Sequence, residues 1–264
     1  MSAPRHVLVL GGHGKIAQLL TPLLLKRSWT VTSVIRKQEQ VPAIEKLGSG
    51  LPGKLNVLVT SIEDVTTKDA AVGILQQVNP DYIAWSAGAG GKGGPESTFK
   101  VDRDAAINFV QAAASIPSIT RFLLVSYTGS RRGAAPWWSQ EEWDEYNKKV
   151  NYGVLATYYQ AKIAADEALW EASNKSSTLV GIGLRPGTLT DDAAGKIQLG
   201  KLPGVKGNVP RATVATVADA LLAAPGIKNT WLDLVDGEGD VEAEVERVVR
   251  DNVSSVEGEP IAKA

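Results

Sequence analysis

The segment His6-Val-Leu-Val-Leu-Gly-Gly-His-Gly-Lys-Ile-Ala17 constrains the fold of this chain more than any other. Its four apolar residues, Val7, Leu8, Val9 and Leu10, form the short continuous run of a strand buried on both faces. They lead directly into Gly11-Gly12-His13-Gly14. Beyond Lys15 the apolar positions Ile16, Leu19, Leu20, Leu23 and Leu24 recur at helical spacing. A strand, a glycine turn and a helix N-terminus are the opening unit of a dinucleotide-binding βαβ fold. The glycines permit a tight turn and the close approach of a pyrophosphate, which the free N–H groups and positive dipole end of the helix then hold. The spacing fits G-x-G-x-x-A on Gly12, Gly14 and Ala17, and equally G-x-x-G-x-x-A on Gly11, Gly14 and Ala17. His13, Lys15 and Ile16 fall within this unit and join the cofactor-binding candidates.

The chain has 264 residues, of which 44% are hydrophobic and 22% charged, enough for the core of one large α/β domain. A single domain is expected over residues 1–253, followed by a disordered tail at 254–264. With a formal net charge of −1 the sequence carries no electrostatic footprint for nucleic acid. There is no cysteine, which excludes disulfides, thiolate nucleophiles and sulfur-based zinc sites and fits a reducing compartment. The two histidines, His6 and His13, both lie in the first strand–turn unit, so no metal site and no Ser-His-Asp triad is expected. No apolar run reaches membrane-span length, and strand one begins by residue 6 without a signal peptide before it. The expectation is a cytoplasmic protein acting on a small molecule, with neither membrane nor nucleic acid as partner. Monomer and dimer are both open.

Strand and helix signals alternate along the chain, predicting a doubly wound parallel sheet with helices on both faces. Strands are expected at residues 30–35, 56–60, 81–85, 121–126, 178–184 and 230–235. Helices are expected near 38–47, 66–77, 98–114, 152–173, 216–224 and 241–253. A Trp-rich stretch at 127–150 interrupts the alternation and is long for a plain loop. Together with an irregular region at 187–215 it is the expected substrate region.

Ligands of open α/β sheets bind beyond the carboxyl ends of the strands, which singles out five segments. After strand two stand Arg36 and Lys37, where an NAD site would place an acidic residue, so a 2′-phosphate and hence NADP(H) is expected. After strand three, Ser61 and Ile62 could meet the adenine, with Glu63 and Asp64 beside them as a possible helix cap. After strand four comes Ser86-Ala-Gly-Ala-Gly-Gly-Lys-Gly-Gly94, whose Ala87, Gly88, Ala89 and Gly90 could lie flat against a cofactor. After strand five, Ser126 and Thr128 offer hydroxyls. Further on, Tyr158 and Lys162 are four apart on one helix face, where an ammonium near a phenol would lower the phenol's pKa. After strand six, Pro186, Gly187 and Thr188 form a turn whose backbone could meet the nicotinamide amide.

The ordered set comprises the glycine loop, Arg36, the Ser86 loop, Val101-Asp-Arg-Asp104, Arg121-Phe-Leu-Leu-Val-Ser126, Tyr158-Tyr-Gln-Ala-Lys-Ile-Ala-Ala-Asp166 and Arg185-Pro-Gly187. It resembles the atypical short-chain dehydrogenase/reductases, the NAD(P)-binding group related to NmrA and to biliverdin/flavin reductase B, over about residues 5–253. The resemblance implies a Rossmann core with the cofactor lying across the strand ends. It also implies that Tyr158 and Lys162 act with Ser126 or Thr128, Lys162 additionally holding the nicotinamide ribose. Tyr159 beside Tyr158 leaves the register of the pair open. Trp137-Trp-Ser-Gln-Glu-Glu-Trp143 could be an aromatic lid or core packing. The implied activity is an NADP(H)-dependent oxidoreductase moving a hydride to or from a small carbonyl, quinone or flavin-like substrate. The alternatives are an NADP(H)-sensing regulator of the NmrA type and, third, an isomerase or epimerase.

Overall fold

A computed structural model describes residues 4–90 and 93–263; Gly91 and Lys92 of the expected glycine loop lie outside the described residues. Its centre is β1 (His6–Leu10), whose alternate residues supply two cores. Val7 and Val9 face one side, where they join Leu20 and Leu24 of α1 (Lys15–Lys26) and Val214 and Leu221 of α8 (Arg211–Ala223). Leu8 and Leu10 face the other, with Leu75 of α3 (Lys68–Val78), Phe109 of α5 (Ala106–Ala114) and Leu169 of α7 (Ala156–Lys175). Burial on both faces is why the strand reads as an unbroken apolar run.

The remaining strands are β2 (Thr30–Ile35), β3 (Lys54–Val59), β4 (Tyr82–Trp85), β5 (Arg121–Val125), β6 (Val180–Pro186), β7 (Thr188–Thr190), β8 (Ile197–Gly200), β9 (Asn208–Pro210) and β10 (Thr230–Asp236). Seven of them join β1 in one eight-stranded sheet of order β3-β2-β1-β4-β5-β6-β10-β8, with every pairing parallel except β10 with antiparallel β8. This is a doubly wound Rossmann sheet. The strand order reverses between β1 and β4, which opens a crevice at their carboxyl ends. The β8 edge is covered by α9 (Val241–Arg250): Leu199 N–H donates to Glu244 Oε2 (3.3 Å), and its carbonyl accepts from Arg247 (2.6 Å). At the other end of the architecture, Asn79 closes α3 in the left-handed conformation, and its N–H donates to Leu75 O (2.8 Å). Among the described residues no helix is long and apolar enough to cross a membrane.

Several expectations are corrected. The segment 254–263 is ordered and docked: Ser255 and Glu259 are fully buried, and Pro260–Lys263 forms a short 3-10 helix. The 127–150 stretch is no plain loop, since it contains α6 (Gln140–Tyr146) and runs into a π-helical turn at Asn147–Val154. Gly153 lies outside helical φ/ψ, so α7 begins at Ala156 rather than near residue 152. The helix expected at 98–114 starts earlier, as α4 (Gly94–Thr98), and reaches α5 through a π-helical stretch at Phe99–Ala105. The tryptophans form packing rather than a lid. Trp138 and Trp143 are buried with Val205, while the indole N–H groups of Trp137 and Trp138 both donate to Leu202 O (2.7 Å).

Candidate cofactor and active site

The turn after β1 is built for close backbone approach. Gly11 has φ +83°, and a Cβ there would lie 2.5 Å from Ala87 Cα, so only glycine fits beside the β4 loop. Gly14 precedes α1, which has no side-chain cap. The first helical bond runs from Gln18 N–H to Gly14 O (2.9 Å), which leaves Lys15, Ile16 and Ala17 without intrahelical acceptors. Those orphan donors and the helix dipole suit a pyrophosphate. Gly12 does something else. A Cβ there would collide with the Ser33 hydroxyl, and its N–H donates to Val34 O (2.8 Å). It permits packing against β2, whereas Gly11 and Gly14 line the cavities of the crevice.

Two cavities adjoin along the crevice and share Gly14, Ser86, Ala87 and Gly88. The smaller, of about 200 Å³, is lined by His13, Arg36, Ser61, Ile62 and Ala89 among others. Arg36 Nη1 lies 3.6 Å from Glu63 Oε1, a residue of the same cavity. Lys37 stands outside it, against Glu39 (3.2 Å), so of the two cations predicted for this site only Arg36 lines the cavity.

The larger cavity, of about 690 Å³, brings together Lys15, Ile16, Gly90, Ser126, Tyr158 and Lys162. Tyr158 packs against Tyr127 with the rings tilted by 40° and their centroids 5.3 Å apart, and its hydroxyl has no hydrogen-bond partner among the described residues. Tyr159 points the other way, its hydroxyl donating to Arg131 O (2.9 Å), so of the two tyrosines Tyr158 is the one that lines the cavity. Lys162 is buried and donates to Val125 O (2.8 Å).

The electrostatics differ from expectation. Tyr158 is pushed well above the ordinary tyrosine value, first by burial and then by the negative charges of Asp102 and Asp166, rather than lowered by Lys162. Asp102, quoted in the Val101–Asp104 motif but given no role from the sequence, lines the cavity and accepts from Ala89 N–H (2.9 Å). Burial raises its pKa, opposed by Lys162 and by that N–H. Asp166, one helical turn beyond Lys162, is also buried and raised by burial, with Arg185 and Lys162 opposing. It accepts from Ser126 and Ser130 hydroxyls, both 2.6 Å from its Oδ2.

Four predicted residues, Thr128, Pro186, Gly187 and Thr188, do not line either cavity. The Thr128 hydroxyl donates to Val205 O (2.9 Å) and is buried. Pro186, Gly187 and Thr188 are tied to other strands: the Gly187 N–H donates to Leu234 O (2.8 Å), and the Thr188 N–H to Gly207 O (2.8 Å). Leu189, just beyond them, lines the cavity instead, together with Arg211.

The profile of the NAD(P)H-binding family matches residues 11–225. A UPF0659 protein of Schizosaccharomyces pombe is 35% identical over 74% of this chain and 75% of its own length. A Bacillus subtilis protein, YhfK, named as an uncharacterized sugar epimerase, is 31% identical over 88% of this chain and 94% of its own. Among solved structures, a Bacillus halodurans protein described as an NAD-dependent epimerase/dehydratase superposes with TM-score 0.72 at 24% identity, covering 92% of this chain and 99% of that one. ChuY, an anaerobillin reductase of Escherichia coli O157:H7, superposes with TM-score 0.66 at 22% identity over 89% of this chain and 98% of its own. The glycine turn, the switch-point crevice and these matches agree: the chain belongs to the NAD(P)H-binding family of Rossmann proteins, of the atypical short-chain dehydrogenase/reductase type.

Proposed function

We propose that this protein is an NADP(H)-dependent oxidoreductase that moves a hydride between the nicotinamide and a small carbonyl, quinone or flavin-like substrate. One observation carries the reading: Tyr158, its hydroxyl unbonded, lines the same cavity as Lys162 and the uncapped N-terminus of α1. The nucleotide, when bound, supplies the hydride. The chain's residues handle charge and position. The Tyr158 phenol is protonated at neutral pH and, with its pKa raised by burial, is a weak acid, so it would donate only as the substrate oxygen gains charge with the arriving hydride. The Lys162 ammonium lines the same wall, where it would offset the phenolate left behind. Asp166 holds the Ser126 hydroxyl in place, so Ser126 acts as a positioned wall of the site.

Arg36 favours NADP(H) over NAD(H). A 2′-phosphate would replace the loose Glu63 contact with charge-assisted hydrogen bonds. Titration with NADPH and NADH, followed by NADPH oxidation with a panel of aldehydes, quinones and flavins, tests both halves.

A second reading, an NADP(H)-sensing regulator, is favoured by the Ser126 and Thr128 hydroxyls, which are already spent on Asp166 and Val205. Tight NADPH binding without reduction of any panel member would select it. The name of the Bacillus subtilis relative adds a third, sugar epimerisation, for which only short β7, β8 and β9 follow β6 as substrate-binding structure.

A further inference from the structure

We infer that the small molecule taken by the larger cavity carries an anionic group, a carboxylate or a phosphate, and that Arg211 selects it. For calling that molecule the substrate, the inference rests on the oxidoreductase reading. The parallel pairing of β7 with β9 sets Thr190 opposite Pro210, so the next residues, Asp191 and Arg211, emerge side by side, and Arg211 lines the cavity. Asp191 then bridges two cations, accepting from Arg211 Nη1 (2.7 Å) and from Lys15 Nζ (2.6 Å).

The bridge is asymmetric. Asp191 is 63% exposed, whereas the Arg211 side chain is only 25% exposed and lines the cavity wall. Of the five donors of its guanidinium, only Nη1 has a hydrogen-bond partner among the described residues. A planar fork matches two oxygens of a carboxylate or phosphate, so most of its binding capacity is unused. The charge of the wall points the same way: among the described residues Lys15, Lys162 and Arg211 line it with one carboxylate, Asp102, and Asp191 meets Lys15 and Arg211 from outside it. The Asp191 carboxylate thus occupies, from the solvent side, the position an anionic ligand would take from within. An exposed ion pair contributes little and exchanges readily. Lys15 stands beside Gly14 at the phosphate end of α1, whereas Arg211 comes from the region after β6, which places it with the substrate rather than with the nucleotide.

The test is equilibrium binding to protein saturated with NADP⁺, so that no hydride transfer intervenes. The probes are para-carboxybenzaldehyde, its uncharged methyl ester and para-formylphenyl phosphate, titrated by calorimetry. Wild-type protein is expected to bind an anionic probe about tenfold or more tightly than the ester, as one charge-assisted pair allows. Whichever of acid and phosphate binds tighter identifies the group. Arg211→Gln should bring all three probes to within about twofold of one another (roughly the scatter left without that pair) at unchanged NADP⁺ affinity. Arg211→Lys should retain part of the preference, and Asp191→Asn should strengthen anion binding by removing the competitor. The inference is overturned if the ester binds as well as the anions, if no anionic probe binds, or if the preference survives in Arg211→Gln. It is equally overturned if that variant loses NADP⁺ affinity in place of discrimination. NADPH oxidation with the same probes judges the oxidoreductase reading separately: discrimination without turnover removes that reading and keeps the anion site.

Discussion

Arg131 and Glu259 form an ion pair 3.2 Å apart in which neither side chain has any solvent exposure. The pair fastens the C-terminal segment to the loop after β5. Arg131 also donates to the carbonyls of Ser255 and Glu257, and the Arg132 N–H donates to Glu259 Oε2 (2.9 Å). Burial and the neighbouring Arg185 push Arg131 down to about 10, with Glu259 and Asp233 opposing. Glu259→Gln would remove that cation's direct ion-pair partner and leave only the more distant Asp233. Such a break in a buried pair costs about 3–5 kcal/mol, which urea unfolding would register. A loss below about 1 kcal/mol would mean the pair contributes no more than one at the surface.

Stability should also depend on pH through His6, whose Nε2 lies 2.8 Å from Thr32 Oγ1. Burial lowers its pKa below 6.5, against the pull of Asp81. In the window between the lowered value and 6.5 the unfolded chain binds more protons than the native one, so stability falls as pH drops through it. Above 6.5 this contribution is constant. Unfolding midpoints at about pH 5 and 7.5 should differ more for wild type than for His6→Gln. Equal differences would remove His6 from the account.

The strands were legible because parallel strands buried on both faces must be apolar throughout, as in Val7 to Leu10 and in β5. The start of α1 was legible because Gly14 ends the turn. What escaped depends on partners distant in the chain. The strands β7 and β9 hold each other by pairing, and neither Thr188–Thr190 nor Asn208–Pro210 carries a pattern of its own. The tail reads as polar and mobile until Glu259 meets Arg131. Both glycine spacings fit the loop, and only the fold shows Gly12 against Ser33 while Gly11 and Gly14 line the cavities. Thr128 has the right residue type at the right strand end, but its hydroxyl is consumed by Val205. Asp102 lay in a quoted motif and Arg211 in the expected substrate region 187–215, but neither could be given a role until folding brought them to the cavity.

Gly14→Val places a branched side chain where the Cβ alone would lie 3.0 Å from Gly11 O, at the junction of the two cavities. NADPH binding should be lost while circular dichroism and thermal unfolding stay near wild type. Retained affinity would put the phosphates elsewhere.

Arg36→Ala should erase most of the preference for NADPH over NADH, which one charge-assisted phosphate contact sets at about tenfold or more. Titration calorimetry with both nucleotides gives the ratio. A wild-type ratio near one would show that Glu63, rather than a phosphate, is the lasting partner of Arg36.

The most direct measurement is NADPH oxidation by wild type and Tyr158→Phe across the panel of aldehydes, quinones and flavins, at pH values from about 6 to 11, spanning the ordinary tyrosine pKa. Wild type should turn over at least one member, and its rate should not fall near pH ~10, where an ordinary tyrosine ionises, because burial, Asp102 and Asp166 hold the Tyr158 phenol protonated. Tyr158→Phe should keep NADPH affinity and lose about 10²–10⁴-fold in rate, the usual contribution of a positioned acid. Equal rates in the two proteins, or tight NADPH binding with no reduction by wild type, would contradict the assignment of this cavity as a hydride-transfer site with Tyr158 as its proton donor.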